Sequence, residues 1–439
     1  MGETISQKIA ARASGSERLR PGEIVFVNVD IAMMHDSSGP RRIGKTMSRL
    51  GRNVWDPDKI VLVSDHFVPA NDGVEADILR VTREFAAAEG IKRFHEAEGI
   101  CHIVPVEMGY IRPGMMYVGG DSHSTTAGAL GAFAIGLGST DILGVMVTGQ
   151  TWIKVPETIK VAWKGALSRQ VMAKDMILGL IAQLGGDGAT YKTIEYGGET
   201  VDSLSMDERL VLSNMAIELG AKAGIIAPNQ VVFDYLAERG VNKEEYSTVY
   251  ADPDAEYVQE VQLDASKLTP LVARPHSPEN VDEAKTVEQE GVRIHQAYIG
   301  ACTGAKYTDL RAAADVLKNR RIAPGVRLLI APASVRVLRR AMEDGTAAQL
   351  MDAGATFLPS GCGACAGIGH GILASGEVCI SSTNRNFPGR MGNRESQVYL
   401  SSPATVAASA AAGYICDPNT VVGQGGRLSP ANTISMEGR

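Results

Sequence analysis

The sequence predicts an α/β fold in three portions, and three observations carry that expectation. Short β-branched runs recur along the chain, and helical patterns such as GVEADILRVTREFAAAEG lie between them. The chemistry-bearing residue types are also segregated: most histidines fall in the first third, and five of the six cysteines follow residue 291. Strands alternating with helices point to layers built on largely parallel sheets.

The strand-like runs are IVFVNVDIAM (24–33), KIVLVSD (59–65), GMMYVGGD (114–121), RLLIAP (327–332) and EVCISS (377–382). Residues 1–155 form the first portion. Residues 156–290 form the second, opening on the polar-alternating strand ETIKVAWKG and closing in the Pro- and acid-rich stretch TPLVARPHSPENVDEAKTVEQEG, which reads as a crossing linker. Residues 291–439 form the third. A chain of 439 residues has room for two or three such domains.

Composition narrows the function classes. A net charge of −7 disfavours nonspecific nucleic-acid binding, so an anionic substrate would need local arginines. The N-terminus has no apolar h-region of a secretory signal. Its MGETIS start matches a lipidation pattern but reads as a helix start, with Thr4 and Gln7 at capping-box spacing. The most apolar stretch is cut by Ser139, Thr140 and Asp141, which argues against a membrane span. Six cysteines without a signal peptide imply a reducing, cytoplasmic setting in which thiols serve metal or catalysis.

Cys362 and Cys365 form a C-x-x-C in the Gly-rich loop PSGCGACAGIGHG, and Cys302 stands sixty residues upstream in YIGACTGAKYTDL. Two thiolates from one loop and one from another could hold one face of a cluster. The alternatives are a thioredoxin-like pair or a zinc site completed by His370. Cys101, Cys379 and Cys416 occur singly and read as small buried hydrophobes. A cubane normally takes four thiolates, so three ligands leave one iron open as a Lewis acid.

His66, His102 and His123 each sit at a strand end or Gly-rich turn, where α/β sites are built. Asp65 and Asp121 lie close in sequence to His66 and His123 and could orient the rings. His95, His276 and His295 sit in polar or linker context and read as structural. The loop TNRNFPGRMGNRES carries Arg385, Arg390 and Arg394 interleaved with Asn384, Asn386 and Gly389. Planar guanidinium groups there suit a bidentate grip on a carboxylate. GPRRIGKT (39–46) matches a phosphate-loop pattern, but the helix that should follow has only TMSRL (46–50) before Gly51.

In order, the segments SDH, GICH, GGDSHST, SNMAIELGA, GACTG, SGCGACAG and TNRNFPGRMG resemble the aconitase superfamily, specifically large subunits of 3-isopropylmalate dehydratase and its relatives. The resemblance runs from the first helix to about residue 420. It implies three α/β domains around a central 4Fe–4S cluster held by Cys302, Cys362 and Cys365. It assigns Asp65, His66, His102, Asp121, Ser122 and His123 to the first-domain active site, and Asn214 and Glu218 to a helix reaching in from the second domain. Asn384, Arg385 and Arg390 match the element that binds substrate carboxylate, and His35 falls where the isopropylmalate branch often has histidine. One departure is Gly304, where the usual pattern has asparagine two residues after the cysteine.

The implied activity is a hydro-lyase acting on a small hydroxy-dicarboxylate. His66 with Asp65 would protonate the departing hydroxyl, His102, His123 and Glu218 would order water, and Arg385 and Arg390 would hold the carboxylate. The family's swivel domain, with its serine base, is expected on a separate small subunit, in a heterodimer or heterotetramer. Substrates in range are isopropylmalate, dimethylmalate, methylmalate or citraconate, malate or maleate, and homocitrate. The rival classes are a zinc hydrolase and a metal-sensing RNA binder, the latter disfavoured by the acidic balance.

Overall fold

The computed structural model describes residues 2–423, so the end of the third expected portion lies outside the described residues. Its first sheet is five-stranded and wholly parallel. Across the sheet run Arg93–Glu96, Ile60–Ser64, Ile31–His35, Met116–Gly119 and Phe133–Gly136. The run IVLVS at Ile60–Ser64 is buried throughout, as a parallel strand covered on both faces requires. Chain order reverses between Ile31–His35 and Met116–Gly119, which makes that gap the switch point of a doubly wound sheet.

A second sheet orders Ala223–Ile226, Thr193–Gly197, Thr158–Lys164 and Gln259–Asp264, again all parallel. The third is seven-stranded and mixed. Its parallel centre is Gln397–Ser401, Val378–Ser381, Gln296–Ile299, Arg327–Ile330 and Thr356–Phe357.

Two expectations are corrected here. The segment read as a linker after residue 268 supplies two strands to the third sheet, Leu271–Ala273 and Val281–Glu283. Leu271–Ala273 is buried and pairs antiparallel with both its hairpin partner and Gln397–Ser401. The prolines at 275 and 278 mark the turn between the two strands rather than a tether between domains. The run 24–33 is not one strand but two. Ile24–Asn28 pairs antiparallel with Gln150–Lys154 in a separate ribbon, and only Ile31–His35 enters the five-stranded sheet. Asp30 divides them, its carboxylate accepting the Met116 N–H and pairing with Arg12.

The reading of the N-terminus as a helix start holds. Thr4 and Gln7 form the capping box of the helix Ile5–Ser14. The phosphate-loop look-alike is mostly helix, since Pro40–Leu50 begins inside it. Among the described residues no helix is long and apolar enough to cross a membrane.

Candidate active site

Parallel strands deliver their following loops to one edge of a sheet, and the expected residues stand at those edges. His35 ends Ile31–His35, Asp65 and His66 follow Ile60–Ser64, and Asp121 follows Met116–Gly119, all around the switch point. In the third sheet Cys302 follows Gln296–Ile299, Cys362 and Cys365 follow Thr356–Phe357, and Asn384 and Arg385 follow Val378–Ser381. The two sets of loops touch: the Cys362 N–H donates to the Asp65 carbonyl at 2.9 Å.

His66 is held from two sides. Its Nδ1 lies 2.7 Å from Asp65 Oδ1 and 3.4 Å from Asp36 Oδ1, and its ring stacks on His35 at 4.2 Å between centroids. Asp65 is fixed in turn by the Cys101 N–H, and Asp36 by the N–H groups of His66 and Phe67. Burial alone would lower the pKa of His66, but the carboxylates of Asp65 and Asp36 outweigh it and hold the imidazole well above its ordinary value. Ser38 bonds the far nitrogen of His35 at 2.9 Å.

A second chain of contacts crosses from the loops of the first sheet to those of the third. His102 Nε2 meets Asp121 Oδ1 at 2.8 Å, and the same oxygen accepts the His123 N–H at 2.8 Å. His123 Nε2 meets Glu218 Oε1 at 2.9 Å, and Arg385 Nε donates to both oxygens of Glu218 at 2.8 and 3.0 Å. Burial lowers the His102 pKa in spite of Asp121. For His123 burial is outweighed by Asp121 and Glu218, and its pKa rises. Burial would raise Asp121 and Glu218, yet their histidine partners hold both below the usual carboxylate range. Ser122 is half-buried beside them. An open cleft of about 270 Å³ borders Glu218 and Arg385, with Ile217, Ser277 and Phe387 along its wall. That volume suits a small organic acid, below the span of drug-sized pockets.

The cysteines converge through two asparagines. Asn214 Nδ2 donates to Cys302 Sγ at 3.0 Å, and the thiols of Cys302 and Cys365 lie 3.8 and 3.7 Å from Asn384 Oδ1. Cys362 bonds Cys365, and Arg390 lies beside both, so Cys365 is held well below the usual thiol value. Burial and the neighbouring Cys365 charge push Cys302 up to about 11.

The donor set fits an iron–sulfur cluster better than a lone zinc ion. Among the described residues two groups of possible ligands have their ligand atoms within 4.8 Å of one another, His35–Asp36–Asp65–His66 and His102–Asp121–His123, and neither includes a cysteine. Zinc–sulfur bonds of about 2.3 Å would draw the thiolates closer than that, whereas ligands of a multi-iron core stand further apart. His370, the fourth ligand a zinc site would want, is exposed. Among the described residues, two buried polar atoms beside the thiols, Arg390 Nε and the Tyr298 hydroxyl, have no partner, and neither has His102 Nδ1 in the histidine network. Such atoms await a polar group. Ala301, just before Cys302, takes the left-handed φ of 68°, a strained setting for a non-glycine residue that is typical of functional loops.

Asn214 and Glu218 both reach the site, but not from one continuous α-helix. The helix Met206–Met215 ends after Asn214, and Glu218 lies on a tighter turn, Ala216–Leu219. The change of pitch aims Asn214 at Cys302 and Glu218 at His123. Arg394 is exposed, while Arg385 and Arg390 turn inward. Cys101, Cys379 and Cys416 are fully buried, as expected of structural thiols.

Several contributors escaped the sequence reading. Asp36 adjoins His35 at a strand end, a signal that was available. Thr126, bonded to Asn214, lies in the GGDSHST segment and could have been read with it. Lys174 and Lys306, each 1% exposed, gave no local sign. Lys306 pairs with Asp309 at 2.7 Å and reaches the Cys302 carbonyl at 3.4 Å. Gly304 stands where asparagine was expected. A side chain there would run into Ser382, whose hydroxyl bridges the Gly300 and Gly304 carbonyls.

The model of the Aconitase family (aconitate hydratase) matches residues 7–290 and 280–413. The chain is 48% identical to 3-isopropylmalate dehydratase large subunit 1 of Methanopyrus kandleri, over 95% of this chain and 99% of that one. It is 45% identical to the probable methanogen homoaconitase large subunit of Methanothermobacter thermautotrophicus, over 96% and 99%. The 3-isopropylmalate dehydratase large subunit of Aquifex aeolicus is 44% identical, over 96% and 98%. With near-complete coverage on both sides and the site built as described, the chain belongs to the aconitase family of hydro-lyases.

Proposed function

We propose that the chain is the large catalytic subunit of a 4Fe–4S dehydratase of the 3-isopropylmalate type, reversibly removing water from a small hydroxy-dicarboxylate. The meeting of Cys302 and Cys365 at Asn384, with Cys362 against Cys365 and its N–H on the Asp65 carbonyl, carries this reading. Those three thiolates would hold the cluster, which when bound supplies a Lewis acid for the departing hydroxyl.

The chain's own residues divide the remaining work. His66, kept protonated at neutral pH by Asp65 and Asp36, donates a proton to the leaving oxygen. Asp65 fixes the ring through Nδ1, which leaves Nε2 to carry that proton. Arg385 spends only its Nε on Glu218, so its two terminal nitrogens can grip a carboxylate. Arg390, beside the cysteine pair, offers a second grip. His102, His123, Asp121 and Glu218 form a polar wall that orients the hydroxyl and the water it becomes.

The base that removes the C–H proton is assigned to a small partner subunit bearing the swivel domain, in a cytoplasmic heterodimer or heterotetramer. Two relatives named as large subunits of 3-isopropylmalate dehydratase support this, and the homoaconitase relative keeps a homocitrate-type substrate as the second reading. Dimethylmalate, methylmalate or citraconate, and maleate fall in the same chemical range. The test is hydration of a panel of unsaturated dicarboxylates by the chain combined with its small subunit. Turnover of one member supports the assignment, and hydrolysis of esters or amides with no hydration overturns it.

A further inference from the structure

Lys174 stands in the helix Ala173–Leu184 and is 1% exposed. Its ammonium donates to two backbone carbonyls, Ser382 at 3.3 Å and Thr383 at 2.7 Å. Among the described residues it makes no ion pair, and its neighbour Asp175 spends its oxygens on the N–H groups of Met172 and Leu271. Lys306 shows the contrast: equally buried, it has Asp309 against it. Burying a charge without a partner is unfavourable, and here burial presses the ammonium down to about 8. The groups whose negative charge most opposes this fall are Cys365 and Cys302. The carbonyls it holds immediately precede Asn384, whose side chain meets both of those cysteines.

We propose that Lys174 is the buried counter-charge of the cluster, a positioning residue that offsets the negative charge of the three thiolates and fixes the loop carrying Asn384. The inference rests on the cluster reading above. A bare pocket offers the ammonium less negative charge than an occupied one. Removing the charge therefore harms the occupied protein more than the empty one. A nearby positive charge also favours the more negative, reduced state of a redox centre, so its removal makes reduction harder.

The experiment compares wild type, Lys174→Met and Lys174→Gln, each with and without a reconstituted cluster. Melting temperature and an EPR-monitored reductive titration are the readouts. Methionine keeps the length without charge or donor, and glutamine restores a donor to the carbonyls without charge. Both variants should lose more stability in the cluster-loaded form than in the empty form. At a fixed potential their reduced-to-oxidised ratio should fall about tenfold, equal to ~59 mV for one electron. Equal losses in both forms, or recovery of the wild-type ratio by glutamine, would show a carbonyl clamp only and overturn the inference. If wild type itself takes up no iron and sulfide, the cofactor reading fails, and this proposal fails with it.

Discussion

Asn214 and Asn384, 170 positions apart in the chain, meet side chain to side chain at 2.5 Å, and both amides reach the sulfur of Cys302. Both are fully buried. The pair bridges the helix Met206–Met215 to the third sheet at the point where the thiols gather. Replacing Asn384 with alanine takes from the buried Asn214 amide oxygen the donor it now accepts from. Stability should fall by about 1–3 kcal/mol in urea unfolding, and cluster uptake should fall with it. An unchanged midpoint would mean the contact contributes nothing.

The cysteines divide into two sets with opposite expected outcomes. Serine at Cys302, Cys362 or Cys365 should abolish the brown absorbance and turnover together. Alanine at Cys379 or Cys416 should leave iron content near wild type, since both are buried and lie outside the loops that carry the other three. Iron and sulfide analysis of the purified variants decides it.

Proton donation by His66 has a pH signature. Asp36 helps keep the imidazole protonated, so Asp36→Asn should lower its pKa. The alkaline limb of kcat should then move to lower pH, with the cluster still present by absorbance. A limb that stays in place would remove His66 from the role of acid.

Buried carboxylates set an opposing trend for stability. Burial raises Glu195 from 4.5 to about 7, although it accepts the Ile5 N–H and the Tyr257 hydroxyl. Its folded pKa exceeds the unfolded one, so its contribution is full below pH 4.5 and is lost as pH rises through 7. Between those limits the loss is on the order of 3 kcal/mol. Glu195→Gln should flatten that part of the stability profile, measured by urea midpoints from pH 5 to 8. A slope identical to wild type would contradict the assignment.

Much of the site could be read from the chain because parallel strands bring their own loops to a shared edge. SDH, GGDSHST and TNRNFPGR each follow a short apolar run, so their placement needed only local pattern. What escaped depends on contacts that local pattern does not encode. His102 finds its carboxylate in Asp121, nineteen positions on, across the switch point. Lys174 looks like any lysine in an amphipathic helix until a loop two hundred residues later packs over it. The hairpin at 271–283 looks like a linker in sequence because its prolines are conspicuous and its buried run LVA is only three residues long.

The most direct test of the central claim is iron Mössbauer spectroscopy of the reconstituted chain, before and after adding a hydroxy-dicarboxylate. Three thiolate ligands for four irons predict a cluster with roughly equal iron and sulfide, in which a single iron site changes its spectrum when substrate arrives. Four irons that all stay unchanged, or one zinc ion per chain without sulfide, would contradict the account.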